Sequence, residues 1–142
     1  MTQRILLATD GTELSQRAAS VAIGLAKPLG AVLVGCAALR IYPYHGVGEA
    51  APAEKTFQAQ AAAKANGDLD DIERAAKAAG VAFERVLHEG HPDDVILQTA
   101  DDAQCDLIVM ASHGRRGIAS LLLGSETQKV LARSSRPVLV VR

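Results

Sequence analysis

Five apolar runs, each about the length of one strand, divide this chain, and stretches of helical periodicity lie between them. The first run is Ile5-Leu6-Leu7-Ala8, followed by the turn and cap residues Thr9-Asp10-Gly11-Thr12. From Glu13 to Leu29 the small and apolar positions Ala18, Val21, Ala22, Leu25 and Ala26 recur every three or four residues, which predicts a helix ending at Pro28 to Gly30. The second run spans Ala31 to Leu39. A segment of different composition, Arg40 to Lys55, then carries Tyr42, Pro43, Tyr44, Gly46, Gly48 and Pro52 and reads as a long loop, either a lid or contact surface or an ordinary surface connection. Thr56 to Ala79 has strong helix-forming composition, ends at Gly80, and would be interrupted, if anywhere, at Asn66-Gly67. Val81 to Leu87 alternates as a strand exposed on one side or at an edge does. Pro92 and the two aspartates after it open a further helix whose buried stripe is Val95, Ile96, Thr99 and Ala100.

The fourth run, Leu107-Ile108-Val109-Met110, is of the kind buried on both faces of a sheet. Small and flexible residues follow at Ala111, Ser112, Gly114 and Gly117. Gly124-Ser125-Glu126-Thr127 then opens a helix running to about Arg133, with Ser125 or Thr127 available as its cap. Pro137-Val138-Leu139-Val140-Val141 closes the chain. Five strands alternating with helices predict a single α/β domain over residues 1–142, with a doubly wound parallel sheet and helices on both faces. Ligands of such sheets sit beyond the strand carboxyl ends where the winding reverses, so the loops at 9–12 and 111–117 are the candidate site. Glycines there let the main chain approach phosphate oxygens, hydroxyls at Ser125 and Thr127 can donate to them, and the helix start adds positive potential.

Charge narrows the partners. Fifteen basic and sixteen acidic residues nearly cancel, and the longest basic run is Arg115-Arg116, so no general field favours nucleic acid or an anionic membrane. No apolar stretch reaches the ~18 residues of a membrane span and the start lacks a signal peptide's flanks, which gives a cytoplasmic expectation. Cys36 and Cys105 have neither CxxC nor zinc-ligand spacing and read as reduced, buried thiols.

The assembled residues resemble the universal stress protein family, in particular its ATP-binding branch. That branch has a glycine, two residues, a second glycine, nine residues, then Gly-Ser or Gly-Thr, between an apolar strand and a helix. Here the pattern is Ala111-Ser112-His113-Gly114, nine residues from Arg115 to Leu123, and Gly124-Ser125, and Ile5 to Asp10 looks like the family's first strand and its Asp-bearing turn. One departure is Ala111 at the first glycine. Its methyl either crowds a nucleotide or is tolerated because φ is negative there, and tolerance is the expectation since Gly114, Gly124 and Ser125 are all present.

The resemblance implies a Rossmann-like sheet of the adenine nucleotide alpha hydrolase-like kind, with strand order 3-2-1-4-5. It further implies binding of ATP, with Mg²⁺ carried on the phosphates. Ala8, Thr9 and Asp10 would line the adenosine end, and Ala37 would meet the adenine edge through its backbone. Met110, Ala111, His113, Gly114, Gly124, Ser125, Glu126 and Thr127 would surround ribose and phosphates. Arg115 would either add charge or be a solvated surface residue. Val138, Leu139, Val140 and Val141 would form a homodimer interface, and an unidentified regulatory protein would read nucleotide occupancy in stress response. Asp10 has a second reading as a simple helix cap.

Other chemistries are weaker. His88-Glu89-Gly90-His91 matches the HxGH signature of adenylyl-transferring enzymes, but it follows the third strand and not the first. His88 and His91 have no further His or Cys nearby in sequence to complete a metal site. His113 has no nucleophile or carboxylate beside it in the motif, so positioning is favoured over acid-base catalysis. The alternatives to a nucleotide-binding regulator are a weak ATPase or adenylyl-transferring enzyme, and a dimerising module that binds no nucleotide.

Overall fold

A computed structural model of the chain, which describes residues 2–40, 50–114 and 122–142, contains nine elements in strict alternation. They are β1 (Arg4–Ala8), α1 (Glu13–Leu29), β2 (Val32–Leu39), α2 (Ala50–Ala78), β3 (Phe83–Glu89), α3 (Pro92–Asp102), β4 (Leu107–Ala111), α4 (Ser125–Arg133) and β5 (Val138–Val141). The strands form one parallel sheet in the order β3-β2-β1-β4-β5, as the resemblance implied. Winding therefore reverses between β1 and β4, which lie side by side with Leu6 opposite Ile108 and Leu7 opposite Val109.

Alternation on the strands sorts the core into two layers. Ile5, Leu7, Leu33 and Val109 pack with Ala18, Ala22 and Ala26 of α1 and with Ile72 and Ala76 of α2. Leu6, Val34, Cys36, Ile108 and Met110 pack instead with Val95, Ile96 and Ala100 of α3 and Val130 of α4. The alanine stripe of α1 brings that helix close over the centre of the sheet. Cys36 and Cys105 are unbridged and buried in the second layer. Burial pushes the Cys36 thiol up to about 11, so it stays protonated, and its sulfur donates to Thr99 Oγ1 at 3.5 Å.

The helix boundaries follow local chemistry. Thr12 caps α1, its hydroxyl accepting from Ser15 N at 3.2 Å, so the cap expected at this turn is Thr12 and not Asp10. Gly30, at φ 62°, ends the same helix, with Ala31 N donating to Ala26 O at 3.0 Å. The structure departs from the sequence reading chiefly around α2 and β3. Helix α2 begins at Ala50, inside the segment expected to be loop; Ala50, Ala51 and Ala53 favour helix, and Pro52 lies in the first turn, where a missing N–H costs little. Of the rest of the predicted loop, residues 41–49 lie outside the described residues. Asn66-Gly67 does not interrupt α2, because burial of Leu69 and Ile72 offsets the ~1 kcal/mol that glycine costs a helix. Finally, β3 starts at Phe83 and not Val81, because Val81 N donates back to Ala76 O at 2.8 Å and so belongs to the end of α2.

Opposite the candidate site, β1 and β4 are pinned at their amino ends. Asp106 Oδ2 accepts from Gln3 N at 2.8 Å and Arg4 N at 2.9 Å, and these donors hold its carboxyl below the usual carboxylate range. A folded-state pKa below the unfolded one gives stability that is fully present above about pH 4 and is lost as pH falls through the folded value. Asp106→Asn should therefore lower the urea midpoint most near neutral pH. The difference from wild type should shrink toward zero on the acid limb, and a constant difference at every pH would reject this account.

Candidate functional site

The loops after β1 and β4 meet where the winding reverses. In the first, Thr9 Oγ1 accepts from Gly11 N at 3.2 Å, and Asp10 Oδ1 accepts from Thr12 N at 3.0 Å and Thr12 Oγ1 at 2.7 Å. These bonds fold the turn tightly and fix Asp10, whose other oxygen would lie 2.9 Å from a Cβ placed on Gly114. Asp10 thus reaches across to the second loop.

In the second loop the decisive atom is the Ser112 carbonyl oxygen. It accepts from Gly124 N at 2.7 Å and from Thr127 Oγ1 at 3.2 Å, while Thr127 Oγ1 also donates to Ala111 O at 2.9 Å. Thr127 is 2% exposed. The hydroxyl expected to donate to phosphate, or to cap α4, instead braces the first turn of α4 against the end of β4. The N-cap of α4 is Gly124, at φ −67° and ψ 158°, and no side chain caps it. Among the described residues nothing accepts from the N–H groups of Ser125, Glu126 or Thr127, so three backbone donors stand at the positive end of the helix.

Gly114 and Gly124 are needed here for space and not for backbone angle, since neither has positive φ. A Cβ on Gly124 would lie 3.2 Å from both His113 Cα and Ser112 O, and one on Gly114 would meet Asp10. Ala111 is a strand residue opposite Val141 with no positive φ, which meets the backbone condition for tolerating alanine there. His113 Nδ1 lies 3.1 Å from Ser112 Oγ.

The other predicted residues fall nearby with different access. Ala8 is the last residue of β1 and pairs with Cys36; Ala37, the next on β2, is 5% exposed where β2 outruns β1. The Met110 side chain is buried in the α3–α4 core layer, so only its backbone faces the site region. Glu126 pairs through Oε1 with Lys129 at 3.3 Å, its other oxygen being buried with no hydrogen-bond partner among the described residues. Arg115 and Arg116 lie outside the described residues. Val138, Leu139, Val140 and Val141 form β5 at the sheet edge, Leu139 being 36% exposed.

Two clefts on the described surface merit comparison with this site, and neither is centred on Gly114 and Gly124. One of about 310 Å³ runs between α1 and α2 from Thr9 and Gly11. The other, of about 740 Å³, lies beyond β3 and is lined by His88, His91, Asp94, Asp101 and Arg133. It contains the HxGH look-alike, which sits at the sheet edge with β2 between it and β1. The larger size of that cleft is outweighed by chemistry: Asp94 and Asp101 are already paired with Arg133 and Arg136. Among the described residues no group of three or more His, Cys, Asp or Glu is placed to hold a metal.

Comparison with known proteins agrees with this geometry. The model of the universal stress protein family matches residues 1–142. A universal stress protein of Thermus aquaticus is 38% identical over all of both chains. Among solved structures, a universal stress protein in complex with cAMP is 32% identical with a TM-score of 0.75, covering 99% of this chain and 97% of its own. UspA from Lactobacillus plantarum shares the fold at a TM-score of 0.91, 22% identity, and coverage of 99% and 98%.

The brace makes a prediction independent of any ligand. Thr127→Val should destabilise the protein by about 1–2 kcal/mol in urea unfolding without nucleotide, because two carbonyls lose a buried donor. Thr127→Ser should recover most of that loss. Full stability in the valine variant would show that the hydroxyl does not brace the site.

Proposed function

The chain belongs to the universal stress protein family, and from that membership we propose that it is an adenine-nucleotide-binding regulator. ATP is the proposed ligand, seated between the β1 and β4 loops. The observation that carries the reading is the first turn of α4. Three N–H groups without acceptors among the described residues stand beside two glycines whose missing side chains let Asp10, the end of β4 and the start of α4 close together. Phosphates belong at that turn. Asp10, fixed by Thr12 and set against Gly114, belongs at the ribose, with Ala8, Thr9 and the β2 backbone at Ala37 toward the base. A relative at 32% identity has been crystallised with cAMP, which supports the adenine-nucleotide class.

Mg²⁺ arrives on the phosphates and keeps most of its waters, since the donor set at this turn is backbone amide, which suits phosphate oxygen and not a cation. Residues 1–142 act as one domain, in the cytoplasm, and binding without appreciable turnover is the activity. The homodimer forms through β5. Occupancy is read by a protein partner during stress.

Nucleotide-stripped protein titrated with ATP and Mg²⁺ should show saturable binding, with ADP release no faster than background. Gly124→Val should lose that binding and keep the far-ultraviolet circular dichroism of wild type, because its Cβ presses on Ser112 and His113 main chain at the mouth of the site. Unchanged affinity in that variant would place the nucleotide elsewhere. For the dimer, Leu139→Asp should move the sedimentation coefficient from dimer to monomer; a variant that still sediments as a dimer would exclude β5 as the interface.

A further inference from the structure

Helix α2 is longer than the sheet it packs on. Its 29 residues span ~44 Å at 1.5 Å each, whereas the eight residues of β2 span ~26 Å. The helix is fixed in height by Leu69, whose Cδ2 would lie 3.2 Å from a Cβ on Gly35, in mid-strand. Leu69, Ile72 and Ala76 are buried, but no side chain described between Ala53 and Asp68 is. Because α2 runs back against the strands, this unburied half projects past their carboxyl ends, the side on which the β1 and β4 loops lie.

Among the described residues, a contact from Lys64 and Asp68 ties that overhang to the site. Lys64 Nζ and Asp68 Oδ2 pair at 3.1 Å and rest directly on the backbone of Gly11, where a Cβ would lie 2.6 Å from the ammonium and 2.3 Å from the carboxylate. Gly11 has φ 78°, so both its angle and its bare face suit glycine. Beside the contact, the cleft of about 310 Å³ lined by Thr9, Gly11, Gln16, Ile23, Asp68 and Ile72 separates α1 from α2, so α2 has room to shift there. Gly11 is covalently next to Asp10, and Asp10 abuts Gly114. The ion pair is half in solvent, Lys64 being 52% and Asp68 21% exposed at the side chain, and pairs of that kind add little global stability. Its distinguishing property is its location.

Resting on the nucleotide-binding reading, we propose that the Lys64–Asp68 pair is a positioning device. It seats the overhanging half of α2 on the loop that carries Asp10, so that nucleotide occupancy and the position of this helix are coupled. Asp10 can adopt its place against Gly114 only while Gly11 keeps its turn, and the pair holds Gly11 from above. Linkage makes the coupling reciprocal: what orders the Asp10 loop also orders α2. The half-buried positions Phe57, Ala61 and Ala65, spaced on the face that continues to Leu69, give the seated helix a surface that changes with occupancy.

The test uses the full chain. In nucleotide-free protein, Asp68→Asn and Lys64→Met should speed amide hydrogen exchange in residues 57–67, while Lys77→Met, which breaks the Lys77–Glu73 pair on the same helix, should not. The first two variants should also weaken ATP binding by about 3- to 10-fold, the range expected of a coupling residue outside the site. The swapped double variant Lys64→Asp/Asp68→Lys should restore both readouts toward wild type. Added ATP should slow exchange in residues 57–67 of wild type and do so less in Asp68→Asn. Unchanged exchange and affinity in the single variants, with wild type binding ATP normally, would overturn the coupling alone. Wild type that binds no ATP would overturn the nucleotide reading and the coupling with it.

Discussion

The Ser112 carbonyl oxygen is the point on which the site depends. It takes the Gly124 N–H and shares the Thr127 hydroxyl, so the last turn of a buried strand and the first turn of a short helix are held as one piece. That union fixes the start of α4 against the sheet. The helix is only nine residues long, too short to be stable by propensity alone, and its buried contribution is Val130 with Thr127. Its N-terminal amides keep their direction because β4 is itself locked between β1 and β5, with Ser112 N donating to Val141 O at 2.8 Å. Preorganised donors of this kind need no rearrangement to meet an anion, which is why a brace made inside the protein bears on binding outside it.

Glycine serves two different physical ends in these loops. At Gly11 the backbone angle demands it and a neighbouring ion pair occupies the space a side chain would take. At Gly114 and Gly124 the angle is ordinary and only proximity demands it. Ala111 belongs to neither group: it is a ladder residue with a methyl at the floor of the loop, 9% exposed. The substitution that looked like the weak point of the motif thus falls at the position where the backbone has least need of glycine.

Much of this was legible in the sequence. The ends of α1 could be read because Thr12 and Gly30 are local signals acting on adjacent residues. The parallel, doubly wound sheet and the meeting of the 9–12 and 111–114 loops followed from alternation and winding, which are properties of the whole pattern, whereas the strand order was implied by the family resemblance. What could not be read depends on partners far along the chain. Thr127 in a first turn looks like a cap or a ligand donor until the fold sets Ala111 O and Ser112 O against it. Val81 looks like a strand residue until its N–H is seen to close the end of α2. The seating of Lys64 and Asp68 on Gly11 spans more than fifty residues and leaves no periodic trace.

The two edges of the sheet are built differently, and the difference bears on assembly. Along β3, Glu84 pairs with Arg4, and Arg85 pairs with Asp70 and Glu73, so charge and ion pairs occupy the edge and discourage another strand from adding to it. Along β5 the four residues are Val138, Leu139, Val140 and Val141, partly exposed and without a charge until Arg142. An edge left apolar beside one that is heavily charged is hard to reconcile with a surface meant to stay in water. In the proposed homodimer a second β5 would cover that edge, matching it in length, polarity and symmetry. Val141 O also accepts from Ser112 N, so ordering of β5 by a partner would steady the end of β4 from the opposite side to Thr127. On that argument the proposed dimer and the proposed nucleotide site would draw on the same carbonyl ladder, and a dimer would hold the first turn of α4 more firmly than a monomer can.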